Sequence, residues 1–145
     1  MSRAFVKERE DEPEAVVIRT PSARENFVTP SGFDDLQKRL NAAQRGNDAA
    51  EASYLQSRIE TAMVVDLSTQ PRKKVAFGAV VTIEEVQGKP QTYRIVGEDE
   101  ADPRHGTISW ISPLAEALDG LRVGETALWN RPAGPIQIKL IKIAY

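Results

Sequence analysis

Cysteine is absent from the chain, which excludes disulfides, thiolate metal sites and a cysteine nucleophile. Histidine occurs once, as His105, so no paired-histidine metal motif is available. The formal net charge is −2, leaving no basic surplus of the kind that draws a protein to nucleic acid by bulk electrostatics. No apolar run approaches the length of a membrane span, and Met1–Glu10 is charged, unlike a secretory leader. P-loop, G-x-G-x-x-G and G-x-S-x-G patterns are missing as well. These absences leave a cytoplasmic protein with no membrane segment and no catalytic constellation of its own. At 145 residues it has room for one domain or two small units.

Three regions follow from the composition along the chain. Residues 1–26 are charged and broken by Pro13 and Pro21, and read as a flexible tail with Val16–Ile18 as a docking strand. Residues 27–70 read as an antiparallel helical hairpin. Thr29-Pro30 is a helix start, Phe33, Leu36 and Leu40 share one face, and Gly46-Asn47 stops the helix. Asp48 begins a second helix, whose Leu55, Ile59 and Met63 are expected to pack against that face. At 1.5 Å per residue, roughly sixteen residues give an arm of about 24 Å. So short a hairpin has little core of its own and needs support at its open end.

Residues 71–145 read as an α+β unit. Phe77–Glu85 alternates, with Phe77, Ala79, Val81 and Ile83 on one face, and Gln87–Pro90 turns the chain into Thr92–Val96. A turn at Asp102-Pro103 with Gly106 precedes a short strand, Thr107–Ile111. Ser112 as N-cap and Pro113 at the first helical position then open a helix carrying Leu114, Ala117, Leu118 and Leu121, with Gly120 at its C-terminal end. A last hairpin, Thr126–Asn130 and Ile136–Ala144, turns at residues 132–135, with Ile136, Ile138, Leu140 and Lys142 on one side and Lys139, Ile141 and Ile143 on the other. The sum is an antiparallel sheet of about five strands with one helix packed on it.

The stretch Ile95–Glu125, IVGEDEADPRHGTISWISPLAEALDGLRVGE, resembles the C-terminal domain of the GreA/GreB transcript cleavage factors. A strand ending in I-V-G, an acidic D-E-A-D turn, an S-P-x-A-x-A-L helix and a V-G-D/E return occur there in the same order and spacing. The likeness runs from about Val75 to the end. It implies an FKBP-like topology for residues 71–145 and, for residues 27–70, an arm that enters the secondary channel of RNA polymerase. The family's S-P motif falls on Ser112-Pro113, which the resemblance places at the polymerase contact; Ile111 stands where a polar or acidic residue is usual.

At the tip of the arm the family carries an acidic pair that helps the polymerase hold its second Mg²⁺ during hydrolysis of backtracked RNA. Carboxylates suit that task because Mg²⁺ takes oxygen ligands. The family's tip pattern G-D-x-x-E-N-A-x-Y is matched by Gly46-Asn47-Asp48-Ala49-Ala50-Glu51-Ala52-Ser53-Tyr54, which puts its acidic positions on Asn47 and Ala50. Asp48 and Glu51 keep the spacing of the pair but sit one residue later, a rotation of about 100° on a helix. Asp48-x-x-Glu51 also fits an N-terminal capping pattern. The arm is several turns shorter than the family's usual coiled coil, as in the Rnk-type regulators, which bind polymerase without supporting cleavage.

The expectation is therefore a monomeric elongation factor-like protein that binds RNA polymerase, meets nucleic acid only through the transcription complex and works through the polymerase active site. Cleavage stimulation through Asp48 and Glu51 and channel occupancy without cleavage are the two forms of this expectation. It implies no cofactor of its own, only a Mg²⁺ shared with the polymerase. A proline isomerase is the alternative from another class, raised by the topology alone, since Phe77, Tyr93, Trp110, Trp129 and Tyr145 lack that family's pocket pattern. Elsewhere, His105 and the acidic run Glu98–Glu100 with Asp102 are read as solvated turns, the run having a hard cation as its alternative. Arg72-Lys73-Lys74 reads as a linker, with a small basic patch for phosphates as its alternative, and Trp110 and Trp129 as packing residues, with a pocket lining as theirs.

Overall fold

In the computed structural model, residues 20–86 and 88–145 are described. The docking strand expected at Val16–Ile18 lies outside them. The hairpin begins with a two-residue strand, β1 (Phe27–Val28), and continues as α1 (Pro30–Arg45) and α2 (Ala49–Thr61). Thr29 caps α1 by accepting from Gly32 N at 3.0 Å, and Pro30 occupies a first-turn position whose N–H needs no partner. The reversal uses Gly46 and then Asn47, whose φ of 56° is one of the few left-handed conformations a non-glycine side chain tolerates.

Val28, Leu36, Ala43 and Leu55 form the small buried core of the hairpin, flanked by half-buried Phe33, Leu40 and Ile59. Met63, expected in that seam, is 51% exposed. The helical phase ends at Ala62, which is extended, and Met63 pairs in parallel with Phe27 as part of β2 (Met63–Val64). Backbone bonds from Met63 N to Asn26 O (2.8 Å) and Val65 N to Val28 O (3.0 Å) close the open end of the hairpin.

The second unit is a five-stranded sheet of β3 (Val80–Glu85), β4 (Gln91–Val96), β5 (Thr107–Ser109), β6 (Thr126–Arg131) and β7 (Gly134–Ala144), in the order β5-β4-β3-β7-β6. Helix α3 (Pro113–Leu118) covers it, burying Leu114, Ala115 and Leu118 against Val81, Ile83 and Leu140. The sheet is mixed rather than wholly antiparallel, because β4 and β5 run in parallel. Residues 97–106 do not form a hairpin: two 3₁₀ turns, Glu98–Glu100 and Pro103–His105, carry the chain back so that it re-enters in the direction it left.

A second departure lies in β7. Opposite the Thr82/Ile83 step the register slips, with Thr82 facing Lys142 and Ile83 facing Leu140. Ile141 is the extra residue of a bulge, and a one-residue slip exchanges the two faces of a strand. Ile143 therefore joins the core that Leu140 faces, and Lys142 turns to solvent. Trp110 and Trp129 both pack, half-buried, against the core.

The hairpin core yields the first testable outcome. Leu55→Ala should destabilise the protein by about 2–5 kcal/mol in denaturant unfolding, while Met63→Ala should change stability by about 0.5 kcal/mol or less; equal losses would contradict this packing.

Candidate functional site

At the hairpin tip, Asp48 faces its own helix: its carboxylate accepts from Glu51 N at 3.1 Å, and its N–H donates to Ala43 O at 2.9 Å. Glu51, on the first turn of α2, lies 3.8 Å from Arg39 Nη2 of α1. Arg39 in turn donates through Nη1 to Asp99 O at 3.2 Å. Both tip carboxylates thus face groups of the protein itself. Asn47 and Ala50, on which the resemblance puts the family's acidic positions, carry no charge.

Glu98, Asp99 and Glu100 are neither solvated nor arranged around a metal ion, whereas Asp102 stays on an exposed turn. Asp99, its side chain 5% exposed, accepts from Arg58 Nε at 2.6 Å, and Arg58 is 4% exposed. Tyr54 Oη donates to the other Asp99 oxygen. Arg58 continues through Nη2 to Asn26 Oδ1 at 2.7 Å and lies 3.6 Å from Glu98, while Asn26 Nδ2 donates back to Arg58 O at 2.8 Å. Glu100 receives Thr29 N at 3.0 Å, the Thr29 hydroxyl, and Gly97 N at 2.9 Å. Every acid of this turn is therefore engaged, mostly with the hairpin. Among the described residues, no group of three or more His, Asp or Glu side chains is placed to hold a metal ion.

This junction went unread in the sequence, although it left a signal. Arg58 lies on the apolar face of α2, between Leu55 and Ile59. A cation there needs a buried anion, because a buried charge is strongly unfavourable unless paired. Asn26, assigned to the tail, is 5% exposed and belongs to the same network.

Ser112 and Pro113 sit on the sheet unit, away from the tip. Ser112 caps α3, accepting from Ala115 N at 3.3 Å, and leaves Pro113 exposed. Beside them Arg24 lies 4.7 Å from the Trp110 ring centre and 3.7 Å from Glu116, and Phe27 meets Trp110 edge-on at 5.0 Å. These residues, with Phe77 and Ile95, line a cleft of about 370 Å³. Of the aromatics considered for an isomerase pocket, Phe77 and Trp110 line this cleft; Tyr93, Trp129 and Tyr145 do not.

The remaining candidates are local structure. His105 Nδ1 lies 2.6 Å from Asp102 Oδ2 on an exposed turn. That hydrogen bond is the main reason the Asp102 carboxyl lies below its usual value, with Arg104 adding to it. Arg72 lies over the Tyr145 ring at 5.3 Å, and Tyr145 Oη donates to Lys74 O at 3.1 Å, which ties the basic segment to the C-terminal strand.

The family described as "Transcription elongation factor, GreA/GreB, C-term" matches residues 70–145. Relatives include the transcription elongation factor GreA of Desulfovibrio desulfuricans, 37% identical over 116 residues, with 79% of this chain and 68% of that protein covered. The GreA of Legionella pneumophila is 39% identical over 134 residues, covering 88% of this chain and 84% of that one. Among solved structures, the GreA/GreB factor of Nitrosomonas europaea aligns over 83% of this chain and 99% of its own, with a TM-score of 0.46 and 20% identity. Gfh1 of Thermus aquaticus aligns over 85% and 100%, with a TM-score of 0.46 and 24% identity.

Two measurements probe these contacts. Arg58→Ala, which strands Asp99 without its cation, should lower stability by about 3–5 kcal/mol, against about 1 kcal/mol for Asp48→Ala at a helix cap. In an NMR titration Asp102 should lose its proton below the ordinary value of 3.8. Its depressed folded-state pKa stabilises the fold above the unfolded value, and that contribution is lost as pH falls through the folded one. His105→Ala should bring the midpoint back toward 3.8; an unmoved midpoint would show that the histidine bond is not its cause.

Proposed function

Because the chain belongs to the GreA/GreB family of transcription elongation factors, we propose that it binds RNA polymerase by its sheet unit at the rim of the secondary channel. There its short arm occupies the channel without completing the metal site. Ser112 and Pro113 are the docking residues in this proposal, and Asp48 and Glu51 are structural rather than metal-assisting. The polymerase supplies any catalysis. The protein acts as a cytoplasmic monomer with no cofactor of its own, and meets nucleic acid only through the transcription complex.

The observation that carries the proposal is the engagement of the tip carboxylates. Asp48 is aimed back along its own helix at Glu51 N, and Glu51 is turned toward Arg39. A carboxylate that assists a metal must present an oxygen outward at about 2.0–2.1 Å from the Mg²⁺, and the two positions where the family carries its acids are Asn47 and Ala50. Reach supports the same conclusion. Helix α1 has 16 residues, and Arg39 and Tyr54 already touch the acidic turn of the sheet unit. Only about 10 Å of helix, by its rise per residue, extends beyond Arg39 toward the tip.

Backtracked elongation complexes test the proposal. The protein should leave the rate of RNA shortening at that of polymerase alone, and should slow shortening driven by a cleavage-competent family member. Accelerated shortening that disappears in Asp48→Ala or Glu51→Ala would overturn it in favour of cleavage stimulation.

A further inference from the structure

We infer that Asp99 and Glu100 are positioning residues that fix the direction of the arm relative to the sheet unit, and that Gly32 is a glycine in order to admit Glu100. The two acids are adjacent in sequence but grip different helices. Asp99 takes Arg58 Nε and Tyr54 Oη, which stand four residues apart on one face of α2. Glu100 takes the N–H and hydroxyl of Thr29, the cap of α1, where a carboxylate also meets the positive end of the helix dipole. Arg39 on Asp99 O and Phe27 on Trp110 join the two units as well, and a carboxylate grip on a single helix would still leave the hairpin one direction in which to rotate. Two contacts, from neighbouring residues to two helices, remove that rotation.

The close approach is built into the backbone on both sides. A Cβ at Gly32 would lie 2.1 Å from Glu100 Cδ, and one at Gly97 would lie 2.3 Å from Phe27 O. Glycine in the first turn of α1 sacrifices helix propensity by about 1 kcal/mol relative to alanine. The three atoms that a Cβ there would meet first all belong to the Glu100 side chain. Gly32→Ala is therefore a selective tool. It improves the helix and keeps every charge, yet it displaces a flexible carboxylate from its seat, whereas Asp99→Asn weakens the other grip directly.

Since the chain contains no cysteine, Ala50→Cys at the exposed tip and Lys139→Cys on the exposed face of β7 can carry spin labels in the full-length protein. Double electron–electron resonance should give one narrow distance in the parent. Gly32→Ala, and Gly32→Ala with Asp99→Asn, should lose that narrow peak while far-UV circular dichroism stays helical. A narrow peak at the parent distance in both would overturn the inference, since a merely stabilising contact leaves the surviving native geometry intact. If Asp99→Asn unfolds the protein, Gly32→Ala alone decides.

The functional consequence rests on the polymerase proposal above. In polymerase binding, Gly32→Ala should keep the parent affinity, because Ser112 and Pro113 are untouched, and lose protection against a cleavage-competent factor. Retained protection would show that arm direction has no role in the channel. Failure of the parent to bind polymerase would remove the proposed function while leaving the distance measurement decisive for the positioning role.

Discussion

The Arg58–Asp99 ion pair is the constraint on which the rest of the molecule depends. Two almost fully buried charges 2.6 Å apart are tolerable only because each is also hydrogen-bonded elsewhere, Arg58 to Asn26 and Asp99 to Tyr54. Such a pair contributes less net stability than specificity of arrangement: either partner alone would be a buried, uncompensated ion. The hairpin has just four buried apolar residues in its core, too few for a free-standing unit. It therefore depends on the sheet unit for both stability and direction, and the acidic turn supplies both.

That dependence has a functional side. The acidic turn and the tip carboxylates belong to one chain of contacts, Asp48 to Glu51 N, Glu51 to Arg39, Arg39 to Asp99. In the proposed function, charges that could serve a metal at the end of an arm instead support the arm itself. The resemblance puts the family's acidic positions one residue before Asp48 and Glu51, about 100° away on a helix, which fits the same proposal. Ser112 and Pro113, the docking residues of the proposed function, do not share these contacts, so in that proposal attachment to a partner and action at the tip are separable.

Local chemistry made much of this legible in the sequence. Thr29-Pro30, Asp48 and Ser112-Pro113 were readable as helix starts because capping involves neighbours within a few residues, and each does cap its helix. Alternation located Ala79, Val81 and Ile83 on the inner face for the same reason. What escaped was set by distant partners. Nothing near Met63 shows that Phe27 will draw it out of the helix. Nothing within β7 announces that Ile141 will bulge and send Ile143 inward. The acidic run looked like a solvated turn because its cations lie on residues 39 and 58, far along the chain; Arg58 on an apolar helical face was the one clue to them. The parallel pairing of β4 and β5 likewise depends on how residues 97–106 fold back.

In the proposed function the tip of the arm is held away from the catalytic metal. Exchanging the active-site Mg²⁺ of polymerase for Fe²⁺ in the complex and mapping hydroxyl-radical cuts along this chain measures that separation. No cuts are expected at residues 46–51, with the chain protected around Ser112 and Pro113. Strong cutting centred on Asp48 and Glu51 would contradict it.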